Sequence, residues 1–260
     1  MNEKYKVAKM MQSNWENAYY KRQFEMMTSK SNYPDSSFFE EEVLLLLEQV
    51  GRPFTTVLEL GAGRGEIANG LARQNKDIVT VELVEEICEY AKKHAHPNVQ
   101  VICGDFYTVK LNREFDLILY LDGFGVGNDD DQFFLLQRIY NWLSDDGYAL
   151  IDIYQPLYWQ KVAGKEMYPF GTKDIIRKYD YDEDENRMTD TWWESGQEND
   201  SITQSLACYS PGQIYALCEK AGLHITAYYP SGAMDFEKGV YQKITALDEC
   251  LSYRIKLKKK

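Results

Sequence analysis

Val57-Leu58-Glu59-Leu60-Gly61-Ala62-Gly63-Arg64-Gly65 is the stretch on which the fold of this chain turns. A short strand pattern ends in glycines at positions 61, 63 and 65, and a helical pattern follows. Glycine takes a positive φ without strain and carries no Cβ, so such a turn brings the backbone close to a ligand that side chains would push away. Strand, glycine turn and helix, in that order, place the ligand at the helix N-terminus.

Working outward, short β-rich runs alternate with helical stretches from Thr55 onward, the pattern of βαβ crossovers and a parallel sheet. Strands are expected at 55–60, 77–83, 99–103, 115–121 and 148–154, and helices near 65–74, 84–94 and 130–143. LILYL is apolar throughout, as a strand buried on both faces should be. Upstream, two helical patterns open with the capping boxes Ser13-Asn14-Trp15-Glu16 and Ser37-Phe38-Phe39-Glu40; the second ends at Gly51 with Pro53 beyond it. Downstream, IIRKYDYDED, RMTDTWWES and SITQSLACY are three strands joined by turn-like EDEN and GQEND, hence a small antiparallel insertion. Ser210-Pro211 starts another helix ending near Gly222, and HITAYY and CLSYRIKL supply two late strands. The expected architecture is α/β: a seven-stranded, mostly parallel sheet with helices on both faces. Its parts are a helical cap (1–52), a core (53–155), an insertion or lid (156–209) and a closing helix with strands (210–260).

The 260 residues are 44% hydrophobic and 27% charged, the composition of a globular protein. A net charge of -12 argues against nucleic-acid partners, whose phosphates are held by Lys and Arg. The basic run Lys256, Lys258, Lys259 and Lys260 is expected to be a solvated tail. Five cysteines without a C-x-x-C pair indicate neither a disulfide framework nor a zinc site, and no metal is expected. No 18-residue apolar run occurs and the first twenty residues lack a signal-peptide core, so no membrane partner and a cytoplasmic location are expected.

Dinucleotide-binding turns want G-x-G-x-x-G, whereas position 66 is Glu. The G-x-G-x-G spacing, with Glu59 two residues before the first glycine, resembles motif I of the class I (Rossmann-like) S-adenosylmethionine-dependent methyltransferases. The resemblance spans roughly residues 55–155. It implies S-adenosyl-L-methionine as cofactor and S-adenosyl-L-homocysteine as product, with Glu59, Gly61, Ala62, Gly63 and Gly65 around the amino-acid end of the donor. Glu82, 21 residues after Gly61 and followed by Leu83, would accept both ribose hydroxyls. Gly104, Asp105 and Phe106 would meet the adenine, and Leu121 would line the crevice.

On the acceptor side, Asp122 in Leu121-Asp122-Gly123-Phe124-Gly125 is the candidate catalytic residue, since the loop after the fourth strand faces donor and acceptor in this family. His94, His96 and His224 are expected to be surface or structural. Aromatic residues crowd the cap (Trp15, Tyr19, Tyr20) and the insertion (Trp192, Trp193), where ring faces could hold an amine by cation–π contact. Tyr20, Phe124, Tyr154 and Trp193 are the expected substrate-binding residues. The chain lacks the D/N-P-P-Y/F signature of base and glutamine amino methylation. The expected activity is methylation of a small molecule, with an amine favoured over a hydroxyl or carbon. A nicotinamide-dependent oxidoreductase, a protein-directed methyltransferase and a non-catalytic binding module are the alternatives, and the oligomeric state is left open.

Overall fold

The computed structural model describes residues 15–29, 36–169 and 173–260. Two helices, α1 (Trp15–Ser29) and α2 (Ser36–Val50), come first. The chain then alternates through β1 (Thr56–Leu60), α3 (Glu66–Ala72), β2 (Asp77–Glu82), α4 (Glu85–His94), β3 (Val99–Cys103), β4 (Phe115–Tyr120), α5 (Asp129–Trp142) and β5 (Leu143–Tyr154). A short α6 (Pro156–Val162) leads into β6 (Glu166–Met167), β7 (Ile175–Asp182), β8 (Arg187–Glu194) and β9 (Ile202–Ala207). Helix α7 (Pro211–Lys220), β10 (Leu223–Pro230), the hairpin of β11 (Ala233–Asp235) and β12 (Val240–Gln242), and β13 (Ser252–Lys259) complete it.

The main sheet has seven strands in the order β10-β13-β5-β4-β1-β2-β3. Pairings among β5, β4, β1, β2 and β3 are parallel, while β13 runs antiparallel to both its neighbours. Because β1 is flanked by β2 on one side and β4 on the other, the winding reverses there. That reversal opens a crevice at the C-terminal ends of β1 and β4, where open α/β sheets take their ligands.

Burial on both faces explains the apolar strands. Val57, Leu117 and Leu119 pack with Val43, Leu46, Ile67 and Leu71 from α2 and α3. Their chain neighbours Leu58, Leu60, Ile118 and Tyr120 point to the opposite face, among Leu135 and Ile139 of α5 and Ile214 of α7. Successive strand side chains alternate faces, so a strand covered twice must be apolar throughout.

Several details depart from the sequence-based expectation. Strand β5 starts at Leu143, earlier than Tyr148. Residues 156–162 form a helix, with Pro156 at its first position and the Gln155 side chain accepting from Leu157 N–H. A fourth strand, β6, and the β11–β12 hairpin were not anticipated. Helix α2 already includes Ser36, so Ser37 lies inside its first turn and is not its cap. Ser13 and Asn14 lie outside the described residues. Ser210 does cap α7, in a box with Gln213, and Asn128 caps α5 in a box with Asp131.

The antiparallel sheet β6-β7-β8-β9 packs against α6 through Trp159, Tyr179, Met188 and Leu206, and against α1 through Tyr19, Met26, Ile175 and Trp192. No helix among the described residues is long and apolar enough to cross a membrane.

Candidate active site

The turn after β1 has Gly61 at φ 63°, Gly63 at 54° and Gly65 at 83°, all left-handed values that cost other residues roughly 1–2 kcal/mol apiece. Gly61 N–H donates to Val81 O (2.8 Å), which pins the turn to the end of β2. A Cβ added at Gly63 would meet nothing within 4 Å, and this glycine lines a cavity of about 830 Å³. That size falls within the roughly 300–1,000 Å³ of small-ligand pockets.

Glu82, last residue of β2, stands on the wall of this cavity with only 6% exposure. Its Oε2 accepts Gly63 N–H (2.9 Å), and its Oε1 accepts Leu83 N–H (2.8 Å) and Val84 N–H (3.0 Å). Burial pushes this carboxyl above its ordinary value, and the three N–H donors pull back against the shift. A carboxylate offers about four acceptor sites. With three filled by backbone, about one is free for a ligand hydroxyl, fewer than the two-hydroxyl grip expected from the sequence.

Asp105 follows β3 and lines the same cavity; its Oδ1 accepts Tyr107 N–H at 2.7 Å, which fixes the turn, while Tyr107 Oη donates to Val126 O at 2.7 Å. Asp122 follows β4 at φ 53°, a left-handed conformation that a short polar side chain tolerates. Its carboxylate accepts a hydrogen bond from Tyr154 Oη, and its N–H donates to Asp152 Oδ2 (3.2 Å). Enclosure by protein raises the Asp122 carboxyl above the ordinary range. Tyr154 and the Arg177 charge oppose that rise, and Asp152 and Asp190 add to it.

Helix α1 and the antiparallel sheet roof the cavity. Arg22 of α1 pairs with Glu194 of β8 at 2.8 Å, Lys21 pairs with Glu86 of α4, and Tyr20 Oη donates to Gln204 Oε1 of β9 at 3.4 Å. The helix thus ties the lid sheet to the main sheet's flank.

Of the residues singled out in the sequence, Gly61, Gly63, Glu82 and Leu83 form one part of the cavity wall. Asp105, Phe106, Leu121, Asp122 and Tyr20 form another. Glu59, Ala62, Gly65 and Gly104 are not on it. The Glu59 side chain is 4% exposed and turned toward the first turn of α3, where it meets the Ala68 N–H, so it supports the turn from behind. Gly65 is the N-cap of α3, and Gly104 N–H donates to Glu82 O.

Three substrate-side expectations need correction. Phe124 is fully buried in the core, edge-on to Tyr120 and Tyr209. Tyr154 lies behind the wall, where it holds Asp122. Trp193 also misses the cavity, because strand alternation turns it away from its neighbour Trp192, which lines it. Arg177 on β7 lies opposite Trp192 in register, and Gln204 lies opposite Asp190; Arg177 and Gln204 also reach the cavity. The tandem tryptophans signalled this strand, but not which of its faces looks inward. His94, His96 and His224 are all away from the cavity wall.

Residues 57–147 match the family model described as a methyltransferase domain. Among curated proteins, the chain is 37% identical over 57 residues (22% of this chain, 24% of the relative) to the probable ribosomal RNA small subunit methyltransferase A of Pyrobaculum islandicum. It is 27% identical over 138 residues (48% of this chain, 26% of the relative) to phosphoethanolamine N-methyltransferase 1 of Triticum aestivum. The chain therefore spans about a quarter of the length of these curated relatives. Among solved structures, the CcbJ methyltransferase of Streptomyces caelestis superposes with a TM-score of 0.68 at 16% identity, covering 87% of this chain and 93% of that one. CalS10, an amino pentose methyltransferase of Micromonospora echinaspora, gives 0.62 at 15% identity, covering 85% and 92%.

Proposed function

We propose that this chain, which carries a class I S-adenosylmethionine-dependent methyltransferase domain, methylates an amine of a small molecule held beneath the lid of α1 and β6–β9. One observation carries this proposal: Glu82 and Asp122, at the ends of the two strands that flank β1, face one cavity of about 830 Å³ that also takes in the glycine turn. The proposed division of the chain is a cap at 1–52, a donor-binding core at 53–155, a lid at 156–209 and a closing unit at 210–260.

The residues present fit such a donor. Gly63 leaves open the space that an amino-acid end would fill, Glu82 keeps an acceptor site for a sugar hydroxyl, and Asp105 stands where a purine amine would donate. When bound, the donor supplies a sulfonium methyl, and in-line displacement needs a lone pair roughly 3–3.5 Å from that carbon. An amine arrives as an ammonium and must lose a proton to expose its lone pair. Asp122 stands on the cavity wall, where it holds the ammonium and takes that proton, which a carboxyl raised above its ordinary range does better than an unshifted one. Tyr154 and Asp152 hold Asp122 in place by its side chain and its backbone.

Two further facts favour a small amine acceptor. The lid is tied down by α1, which suits a metabolite better than a protein surface. Tyr20, Phe24 and Trp192 line the cavity together with Glu16 and Asp122, a mix of aromatic rings and carboxylates suited to a cation. The proteins similar in sequence and fold include an N-methyltransferase and an amino pentose methyltransferase.

Calorimetry with S-adenosylhomocysteine tests the donor site; Glu82→Gln should weaken binding about ten- to a hundredfold, by the loss of a charge-assisted hydrogen bond. Methyl-labelled donor incubated with panels of primary amines and matched alcohols tests the acceptor. Label entering alcohols and not amines would overturn the amine assignment.

A further inference from the structure

On the lid face of the cavity, Asp190 is fully buried and receives three hydrogen bonds besides its ion pair with Arg177. Arg177 closes on it from two nitrogens, Nε to Oδ1 at 2.8 Å and Nη2 to Oδ2 at 2.7 Å. Trp192 Nε1 (2.9 Å) and Gln204 Nε2 (3.2 Å) also donate to Oδ2. Asp190 is closed off from solvent and from the cavity, so it has nothing to offer a ligand. Arg177 does: its guanidinium has five N–H donors, and the bidentate grip uses one edge only. Its Nη1 makes no hydrogen bond to any described residue, and its side chain is 23% exposed, on the cavity wall. The plane lies against two rings, 4.8 Å from the Tyr179 centroid and 5.0 Å from that of Trp192, so the guanidinium is fixed in direction. A buried ion pair contributes little net stability beyond what an apolar pair of similar volume would provide. What the pair provides here is a guanidinium held in one orientation on the cavity wall.

We infer that Arg177 is a specificity-determining residue that binds an anionic oxygen group, carboxylate or phosphate, on the methyl acceptor, so that the acceptor carries both an amine and an anion. This rests on the proposed methyltransfer and on Asp122 as the amine end of the same cavity. Opposite charges on two walls select a molecule bearing both charges, oriented in one sense. The remaining donor edge of a fixed guanidinium, cationic and planar, matches the two oxygens of a carboxylate or phosphate.

The test uses the full chain saturated with S-adenosylhomocysteine and three probes that differ at one end: 4-(aminomethyl)benzoate, 4-(aminomethyl)phenylphosphonate and 4-(aminomethyl)benzamide. Calorimetry should show the two anions binding about tenfold or more tighter than the amide, the size of one charge-assisted hydrogen bond. Whichever anion binds tighter identifies the group. Arg177→Gln should reduce the preference to less than about twofold while leaving S-adenosylhomocysteine affinity unchanged. Because this variant strands Asp190, the double variant Arg177→Gln/Asp190→Asn is measured beside it and should behave alike. No anion preference in the unaltered protein, or a preference surviving in the variants, overturns the assignment. So does a parallel loss of S-adenosylhomocysteine affinity, which would put Arg177 on the donor. Failure of the unaltered protein to bind S-adenosylhomocysteine at all would instead sink the methyltransfer proposal.

Discussion

Asp152 Oδ2 accepts the backbone N–H of Asp122 at 3.2 Å, tying a candidate catalytic residue in a left-handed conformation to the neighbouring strand β5. Asp152 is itself held by Arg254 of β13, Nε to Oδ1 at 2.7 Å and Nη2 to Oδ2 at 3.1 Å, and Arg254 Nη1 reaches Glu42 (2.8 Å) and Gln49 (3.1 Å) on α2. An unbroken polar chain thus runs from α2 to the loop after β4.

Arg254→Met should therefore lower both stability and turnover. The pair is nearly enclosed, at 11% and 17% side-chain exposure, and removing one partner of a buried pair costs about 3–5 kcal/mol. Asp152→Asn keeps an oxygen for the Asp122 N–H and should cost less than Asp152→Ala. Urea unfolding reads the first effect, and kcat with unchanged donor affinity reads the second. A variant with wild-type stability and kcat would show that the chain of contacts does not hold Asp122.

Gly63→Ala and Gly125→Ala should fail in opposite ways. At Gly63 a Cβ meets no protein atom, so the fold bears only the strain of φ 54°, about 1–2 kcal/mol, while the methyl group enters the space proposed for the donor. At Gly125 the Cβ would lie 2.6 Å from Ala207 O, within the contact that joins the β4 loop to β9. Donor binding should collapse in the first variant with a modest change in melting temperature, and the second should lose stability outright. Equal loss of stability in the two would remove Gly63 from the donor site.

Much of this architecture was legible because the decisive signals are local. Three glycines two apart can only turn, and LILYL can only be a strand covered on both faces; both constraints act within a few residues. The acids at the ends of β2, β3 and β4 reached one cavity because parallel strands end on one side of a sheet. What failed needed a face to be chosen. Trp192 and Trp193 are indistinguishable until β7 and β9 fix which side of β8 looks inward. Phe124 and Tyr154 have the right chemistry for a ligand, yet the packing of Tyr120 and Tyr209 and the hydrogen bond to Asp122 use them otherwise. Glu59 sits in the motif but points at α3, because alternation along β1 directs it away from the crevice.

Glu59 gives a stability prediction with a definite sign. Its buried carboxyl is pushed up to about 8, chiefly by burial and next by the nearby Glu66 charge, and its Oε2 has no hydrogen-bond partner among the described residues. In the unfolded chain the group titrates near its ordinary value of 4.5. Between those two values the folded state holds a proton that the unfolded state has released, so stability falls as pH rises through that window. Glu59→Gln, neutral at every pH, should gain on the wild type in melting temperature from pH 5 to pH 8. A melting difference that stays flat across that range would mean that Glu59 does not titrate there.

Tyr154→Phe isolates the control of Asp122. Tyr154 Oη donates to the Asp122 carboxylate and so favours its ionised form, against the burial that disfavours it. Deleting one hydroxyl removes the opposing effect and leaves the burial, so the Asp122 carboxyl must rise further. If Asp122 takes a proton from the acceptor, it must be ionised to work, and activity is lost as pH falls through its titration. The acidic limb of kcat/KM against pH should then move to higher pH in the variant, with the plateau rate less affected than the limb. Tyr154 does not line the cavity, so donor affinity should not change. A lowered plateau with an unmoved limb would make Tyr154 a packing residue only, and would withdraw Asp122 as the proton acceptor.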